Sequence, residues 1–263
     1  MLNSLNQVLA EVINRAIAGP VFLWLDFDGT LAPIAAEPSE TRLDESIRRT
    51  LITMRGMRQV TIGVISGRAL EDLHARVDVP SIFYAGNHGL EILGPGLRFA
   101  DSTALATMDE LQQVIKQLVV SLWPISGVRV EDKRLTATVH YRLVADSHIP
   151  EIRWAVEEAV SPYAARFDVR QGKESFEILP RTPWNKGTAV RWINRLQGIP
   201  SRSAIYIGDD ASDEDVFEAL TDGVTIKVGS NGQTSAKYLL SGPDEVQELL
   251  TSVARQLAPG RRP

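Results

Sequence analysis

Five short runs of almost uninterrupted apolar residues constrain the fold of this chain more than any other feature of its sequence. They are rich in Val, Ile, Phe or Tyr and cover residues 21–25, 60–65, 82–85, 204–207 and 224–228. Strands buried on both faces of a parallel sheet have this uniform character. Apolar residues at helical spacing, such as Ile47, Leu51 and Met54, lie between the runs. The alternation predicts an α/β fold with a doubly wound parallel sheet, in which ligands bind beyond the carboxyl ends of the strands.

A second pattern interrupts this alternation between the third and fourth runs. Residues 101–183 predict helix, hairpin, helix and hairpin in turn, and therefore an inserted α+β cap domain. The core would then be formed by residues 1–100 and 184–263. Turn residues at 94–96 and 180–183 are expected to act as hinges between the two domains.

Both hairpins of the insertion alternate apolar and polar residues, which predicts one apolar and one polar face for a small sheet. Helices at 105–122 and 149–160 are expected to cover the apolar face. The polar face carries Glu131, Lys133 and Glu177 and would be left to meet a polar ligand.

Composition excludes several classes of function. The 263 residues include no cysteine, which excludes disulfides, thiolate catalysis and cysteine-ligated metals and fits a cytoplasmic protein. A net charge of −5 offers no long basic stripe to a nucleic acid. No apolar run approaches the roughly 20 residues of a membrane-spanning helix. Leu5, Leu9 and Val12, interrupted by Glu11 and Arg15, predict an amphipathic helix rather than a signal peptide. We expect a cytoplasmic monomer without nucleic-acid or membrane partners.

The stretch LDFDGTL comes directly at the end of the first apolar run. Side chains at i and i+2 of a strand lie on one side, so Asp26 and Asp28 are expected to project into the same cleft. Two such carboxylates are costly unless a cation or a reaction needs them. Asp26 could attack a phosphoryl centre, and Asp28 could serve as acid and then base. Gly29 would let the chain turn sharply. The alternative is a solvated, Asp-rich turn.

Two further segments could contact phosphate. Ser66 and Gly67 follow the second run, where a hydroxyl and backbone amides could bind phosphate at a helix N-terminus. The same residues could instead form an ordinary helix cap. Lys186 opens the helix after the insertion and could pair with phosphate and with Asp26, although a lysine at a helix start is usually exposed to solvent.

The acidic run GDDASDED follows the fourth apolar run. Such crowding calls for a hard dication, and oxygen-only ligands favour magnesium over zinc. We assign Asp209 as a ligand and Asp213 as a residue that supports the metal site. Part of the run also suits the first turn of a helix.

Taken in order, these four segments resemble the signature of the haloacid dehalogenase superfamily of phosphohydrolases. The resemblance extends over nearly the whole chain to trehalose-6-phosphate phosphatases. It includes GNHGLE at 86–91, VEDK at 130–133, HYR at 140–142, and a Gly-Lys pair at 172–173 followed by Glu177. Ala and Ser at 211–212 depart from the family, which commonly has a larger residue and Thr there.

The resemblance implies a magnesium-dependent phosphatase that hydrolyses trehalose 6-phosphate through an aspartyl-phosphate on Asp26, with Asp28 as acid and base. Mg²⁺ would be bound by the carboxylate of Asp26, the main-chain carbonyl of Asp28 and Asp209. Phosphate would be held by Ser66 with its neighbour Gly67, and by Lys186. The sugar contacts that it implies are Arg68, Asn87, His88, Glu131, Lys133 and Glu177. The chain lacks the long N-terminal synthase region of some relatives, so we expect a free-standing phosphatase.

Alternatives remain open at this point. The core motifs contact only the phosphate, so the substrate could be another sugar phosphate, such as sucrose phosphate or a glycosylglycerate phosphate. A non-catalytic sugar-phosphate sensor should have lost a catalytic carboxylate or the lysine, whereas all of these are present. Glu131 and Lys133 could form a solvated strand edge, and His140 could be a satisfied surface histidine.

Overall fold

The computed structural model describes residues 5–35, 38–229 and 232–258, which form two compact units. The first unit comprises the chain up to Phe99 and from Trp184 onward, and the second is Ala100–Pro183. No helix within these described ranges is both long enough and apolar enough to cross a membrane. The role of the second unit as a cap stays a prediction.

The secondary structure follows the alternation expected from the sequence. The strands are β1 (Val21–Asp26), β2 (Val60–Ile65), β3 (Phe83–Gly86), β4 (Glu91–Gly94), β5 (Leu97–Ala100), β6 (Arg129–Asp132), β7 (Ala137–His140), β8 (Phe167–Gly172), β9 (Ser175–Pro180), β10 (Ala204–Gly208), β11 (Val224–Val228) and β12 (Tyr238–Leu240). The α-helices are α1 (Leu5–Ala18), α2 (Glu45–Arg55), α3 (Leu70–Val77), α4 (Ser102–Ala106), α5 (Met108–Leu122), α6 (Ile149–Val160), α7 (Lys186–Leu196), α8 (Glu214–Ala219) and α9 (Pro243–Leu257).

The first unit is built on an eight-stranded sheet with the order β12-β11-β10-β1-β2-β3-β4-β5. β1 lies between β2 and β10 and is parallel to both. The chain adds β2 and β3 on one side of β1 and later adds β10 on the other side, so the strand order reverses between β1 and β10. All five apolar runs form parallel strands, which confirms the predicted doubly wound α/β fold. The sequence does not predict β4, β5 and β12, which lie toward the sheet edges and are only partly buried.

Successive side chains of β1 pack into different cores, which explains the uninterrupted apolar run. Leu23 and Leu25 belong to the cluster that contains residues of α1, α2, α3 and α9. Phe22 and Trp24 face the opposite side of the sheet and pack with residues of α7 and α8. Because both faces are covered, every residue of β1 is buried.

The turn at residues 94–96 lies inside the first unit. It joins β4 to β5, which are neighbours in the sheet. The unit boundary comes later, after Phe99. The predicted hinge at 94–96 is therefore wrong, because these residues form the turn of a hairpin.

The second unit is a four-stranded antiparallel sheet in the order β6-β7-β9-β8. Val139 and Phe176 on one face pack with residues of α5 and α6, which confirms that two helices cover the apolar face. The helix predicted from residue 105 begins only at Met108, because Thr107 is not helical (φ −106°, ψ 6°). The hydroxyl of Thr107 donates to the carbonyl of Ala104, and α4 ends at Ala106, directly before Thr107.

Candidate active site

The residues expected to carry the chemistry follow the parallel strands of the first unit. Asp26 ends β1, Ser66 follows β2, Asn87 follows β3, and Asp209 follows β10. Lys186 is the first residue of α7. β1 and β10 are the strands at which the strand order reverses, and ligands of doubly wound sheets bind at the carboxyl ends of such strands.

Lys186 is a buried cation that joins two carboxylates. Its Nζ donates to Oδ1 of Asp26 and to Oδ1 of Asp213, each at 2.7 Å. Its side chain is only 2% exposed, which excludes the alternative of a solvent-exposed lysine. A capping box sets the start of α7: the side chain of Asn185 accepts from the backbone of Thr188, whose hydroxyl accepts from the backbone N–H of Asn185. The helix start therefore holds Lys186 in place.

Three carboxylates converge beside this lysine. One oxygen each of Asp26, Asp209 and Asp213 lie within 4.8 Å of one another. Three carboxylates face one lysine, so their ionised forms together carry an excess of negative charge, and a donor set made only of oxygen suits a hard dication. These residues therefore fit a divalent cation. The carboxylate of Asp28 is not part of this group in the described chain.

Burial sets the electrostatics of the group. It raises the pKa of Asp26 well above the ordinary value; Lys186 opposes this rise, and the charges of Asp213 and Asp209 add to it. Burial would also raise the pKa of Asp213, but Lys186 and the hydroxyl of Tyr206 hold that pKa below its usual value. The pKa of Lys186 is raised, because the two paired carboxylates outweigh burial. A cation beside Asp26 would favour its carboxylate form.

Glycines allow the backbone to approach the acidic loop. A Cβ atom on Gly208 would overlap the carboxylate of Asp213, and a Cβ atom on Gly187 would overlap the carbonyl oxygen of Asp215. The backbone N–H of Asp210 donates to Oδ2 of Asp213 at 2.8 Å. The close contact with the backbone of Gly208 and the hydrogen bond from Asp210 thus fix the carboxylate of Asp213 beside Lys186.

Asp28 pairs with an arginine. Nε of Arg68 donates to Oδ2 of Asp28 at 2.7 Å, and Nη2 donates to Oδ1 at 2.6 Å. β1 ends at Asp26, so the alternation of a strand does not extend to Asp28. The argument that placed both side chains on one side of a strand therefore does not apply to this pair. The main-chain carbonyl of Asp28 as a metal ligand stays a prediction.

The loops that follow β2 and β3 hold each other. The backbone N–H of Asn87 donates to the carbonyl of Arg68 at 2.6 Å, and that of His88 donates to the carbonyl of Ser66 at 2.9 Å. Both donors have positive φ, at 49° and 58°, which non-glycine residues rarely adopt. The ring of His88 lies 2.7 Å from where a Cβ of Gly67 would be, so a side chain at position 67 would displace that ring.

The side chains of these loops also bond within the protein. Asn87 is fully buried, and its amide donates to Oε2 of Glu91 at 2.9 Å. Oγ of Ser66 accepts from the backbone N–H of Arg68 at 3.2 Å. This bond closes a local turn and does not cap α3, whose N-cap residue is Ala69. The contacts to sugar or phosphate expected from the resemblance stay predictions for these residues.

In the second unit, Glu131 and Glu177 both lie opposite Thr138 across neighbouring strands, so all three share the polar face. Nε2 of His140 lies 2.7 Å from Oε2 of Glu131, in agreement with the alternative of a satisfied histidine. Lys133 is only 8% exposed, which excludes a solvated strand edge for this residue. The sequence pattern therefore predicts the shared face of Glu131 and Glu177 correctly. Lys133 follows the last residue of β6, so its place on that face stays a prediction.

The sequence reasoning does not identify Tyr206 and Thr30 as site residues. The hydroxyl of Tyr206 donates to Oδ1 of Asp213 at 2.6 Å, and that of Thr30 donates to Oδ1 of Asp209 at 3.2 Å. Tyr206 lies within an apolar run and is therefore assigned to the core. A polar hydroxyl two residues before the carboxyl end of β10 could have identified Tyr206 as a site residue from the sequence.

Comparison of the sequence with known proteins identifies the family of this chain. The family model described as trehalose-phosphatase matches residues 24–244. The chain belongs to the trehalose-phosphatase family. Another protein, the trehalose-phosphate phosphatase of Mycobacterium leprae (strain TN), is 37% identical over 256 residues, which cover 91% of this chain and 59% of that protein. This trehalose-phosphatase family member thus spans about three fifths of the length of the first curated relatives that it matches.

Solved structures share the fold of this trehalose-phosphatase family member. A trehalose-6-phosphate phosphatase related protein matches with a TM-score of 0.79 and 26% identity, over 89% of this chain and 97% of that chain. A haloacid dehalogenase-like hydrolase from Bacteroides thetaiotaomicron matches with a TM-score of 0.63 and 16% identity, over 88% and 98%. The second likeness concerns the fold alone and places the chain among haloacid dehalogenase-like folds.

Proposed function

We propose that this chain is a phosphatase that hydrolyses trehalose 6-phosphate to trehalose and inorganic phosphate. The observation that carries the proposal is the contact of buried Lys186 with Asp26 and Asp213, beside Asp209, where the strand order of the sheet reverses. Membership of the trehalose-phosphatase family supports the choice of sugar. So does the name of the relative that is 37% identical.

The proposed reaction has two steps. A carboxylate oxygen of Asp26 forms a bond to phosphorus while the bond from phosphorus to the sugar oxygen breaks, and Asp28 gives its proton to that oxygen. Water then attacks phosphorus and gives a proton to Asp28, the bond from phosphorus to Asp26 breaks, and phosphate leaves. Both aspartates return to their starting protonation states.

Lys186 has two tasks in this proposal. Its ammonium group stabilises the ionised form of Asp26, and it also attracts the phosphate oxygens on which negative charge develops. Asp213 and Tyr206 fix the position of the lysine from the protein side. Ser66 is proposed to hold phosphate from the loop after β2, together with the backbone at Gly67.

Magnesium is part of the proposal. Asp26 and Asp209 would hold it together with the main-chain carbonyl of Asp28, and Asp213 would support the site. When bound, Mg²⁺ would offset the negative charge of the phosphate. The oxygen-only donor set and the excess of carboxylates support this choice.

The sugar contacts rest on the family resemblance. They are Arg68, Asn87 and His88 in the first unit and Glu131, Lys133 and Glu177 in the second. The monomeric state and the cytoplasmic location expected from the sequence also stay predictions.

A substrate panel tests the proposal. Phosphate release is measured with trehalose 6-phosphate, sucrose phosphate and a glycosylglycerate phosphate, each with magnesium and with a chelator. We expect the highest kcat/KM with trehalose 6-phosphate and no turnover after chelation. Preference for another compound would assign another sugar phosphate. Magnesium-independent binding without phosphate release would identify a sensor.

A further inference from the structure

A chain of ion pairs leads from Asp28 to the outer part of α3. The guanidinium of Arg68 holds both carboxylate oxygens of Asp28 through Nε and Nη2. Its remaining terminal nitrogen, Nη1, donates to Oδ2 of Asp72 at 2.9 Å. The guanidinium of Arg68 is therefore hydrogen-bonded to the carboxylate of Asp28 at one edge and to that of Asp72 at the other.

Asp72 is itself fixed in place. Its Oδ2 also accepts from Nε of Arg76, one turn later on α3, at 2.7 Å. Arg76 in turn donates from Nη1 to the carbonyl of Thr41 at 2.7 Å. Burial would raise the pKa of Asp72, but the hydrogen bonds from Arg76 and Arg68 hold that pKa below the ordinary value. The anchor for Arg68 is thus a charged carboxylate tied to a helix and to a second segment of the chain.

Arg68 has little freedom to choose another orientation. Its side chain is 7% exposed, and its guanidinium carbon lies 5.5 Å from the centre of the Phe27 ring. A planar guanidinium fixed at one edge presents its other edge in one direction only. The contact with Asp72 therefore contributes to the direction in which Nε and Nη2 point toward the carboxylate of Asp28.

This arrangement bears on proton transfer. With two hydrogen bonds from Arg68, both oxygens of Asp28 are engaged, so at least one must be released before Asp28 can give a proton to a leaving group. If Asp72 keeps Arg68 in place, the carboxylate oxygen of Asp28 that is released from Arg68 has a defined position before it gives its proton. If the contact with Asp72 is lost, Arg68 can move together with Asp28, and the carboxyl group of Asp28 no longer has a fixed orientation.

We propose that Asp72 is a positioning residue for the acid and base step, because it holds Arg68 in the orientation that places the carboxylate of Asp28. Asp72 acts through Arg68 and touches neither the substrate nor the reacting atoms. The inference rests on the proposed phosphatase activity and on the role of Asp28 within it.

The test separates proton donation from general damage. Because Arg68 is also a proposed sugar contact, kcat and KM with trehalose 6-phosphate are compared as well: a misplaced acid lowers kcat, whereas a lost sugar contact raises KM. kcat/KM reports the steps up to departure of the leaving group, so it is measured with trehalose 6-phosphate, whose leaving oxygen needs a proton, and with p-nitrophenyl phosphate, whose leaving group departs without one. For Asp72→Asn we expect a loss of about tenfold with the sugar phosphate and less than about twofold with the aryl phosphate. Glu71→Gln, which removes the neighbouring first-turn charge of α3, should change neither value.

An equal loss with both substrates would show a merely structural role and overturn the inference, as would no loss at all. If Asp72→Asn does not fold, Asp72→Glu retains the charge with a longer reach and is judged by the same ratio. A parent protein that releases phosphate from neither compound would overturn the proposed function as well. A parent that is active, with a variant whose ratio is unchanged, would overturn the positioning role alone.

Discussion

The backbone of Gly29 lies directly against the carboxylate of Asp209, so a Cβ atom at position 29 would overlap Oδ2. Gly29 also has a φ of +84°, a conformation that favours glycine. The turn after β1 can therefore meet the loop after β10 only if residue 29 lacks a side chain. The next residue, Thr30, donates to Oδ1 of the same carboxylate at 3.2 Å. One turn thus both admits and orients the carboxylate of Asp209.

Gly29→Ala should displace Asp209. The added methyl group needs the space of the carboxylate, and a shift of about 1 Å in a catalytic group can lower turnover about a hundredfold. We expect a loss of that size in kcat/KM, together with a higher magnesium concentration for half-maximal activity. Phosphate release during a magnesium titration measures both.

Gly96→Ala is the matched control. Gly96 has a similar positive φ of 70°, but no heavy atom lies within 4 Å of its added Cβ. This variant should lose about 1 kcal/mol of stability from backbone strain and keep its activity. Equal magnesium dependence in the two variants would contradict the role given to the contact between Gly29 and Asp209.

Asp26→Asn should abolish turnover without loss of stability. The amide cannot form the acyl phosphate. Burial raises the pKa of Asp26, so a neutral side chain of the same shape relieves an unfavourable charge, and Asp213 still pairs with Lys186. We expect an unfolding temperature equal to or above that of the parent. Wild-type-like phosphate release would rule out Asp26 as the nucleophile.

Asn185→Ala should lower both stability and activity. The side chain of Asn185 caps α7, and loss of such a cap costs about 1 kcal/mol. Because Lys186 is the first residue of that helix, fraying of its start should also reduce kcat. Thermal unfolding and steady-state kinetics measure the two effects.

Asp44→Ala provides the comparison for this cap. Asp44 caps α2 by accepting from the backbone N–H of Ser46, and it is not part of the proposed active site. Its loss should lower the unfolding temperature and leave kcat unchanged. A drop in kcat as large as that of Asn185→Ala would show that helix capping in general, and not the start of α7, limits activity.

Glu131→Gln should alter the pH dependence of stability. Burial would raise the pKa of Glu131, but the hydrogen bond with His140 and the charges of Lys133 and Arg129 hold it below the ordinary value. A depressed folded pKa stabilises the fold above the pKa of the unfolded chain, about 4.3, and this stabilisation is lost as pH falls through the folded value. The parent should therefore be more stable than the variant at pH 7, and the difference should shrink below about pH 4.3.

Urea unfolding at several pH values measures this difference. Glu151→Gln removes an exposed partner of His148 in the same unit and should change stability by less than about 0.5 kcal/mol. A difference between parent and Glu131→Gln that stays constant down to low pH would contradict the linkage.

The sequence predicts elements well where one local property decides them. The run at 21–25 predicts β1 because burial on both faces requires apolar residues at every position. The pattern fails where local and tertiary influences differ. β12 is short and only partly buried, and α5 starts at Met108 because Thr107 turns the backbone out of the helix. The exposure of Lys133 depends on what covers it, which no alternation reports.

The sequence by itself predicts that carboxylates, a lysine and a glycine turn lie near the ends of strands, because these residues come directly after apolar runs or open a helix, and such runs form buried strands. Only the tertiary structure decides their partners. Lys186 and Asp26 are 160 positions apart and meet because β1 and the start of α7 belong to one sheet-and-helix unit. Asp28 turns to Arg68, 40 positions away, because the chain leaves the strand after Asp26. Contacts between such distant positions follow from strand order and crossovers, which no single segment encodes.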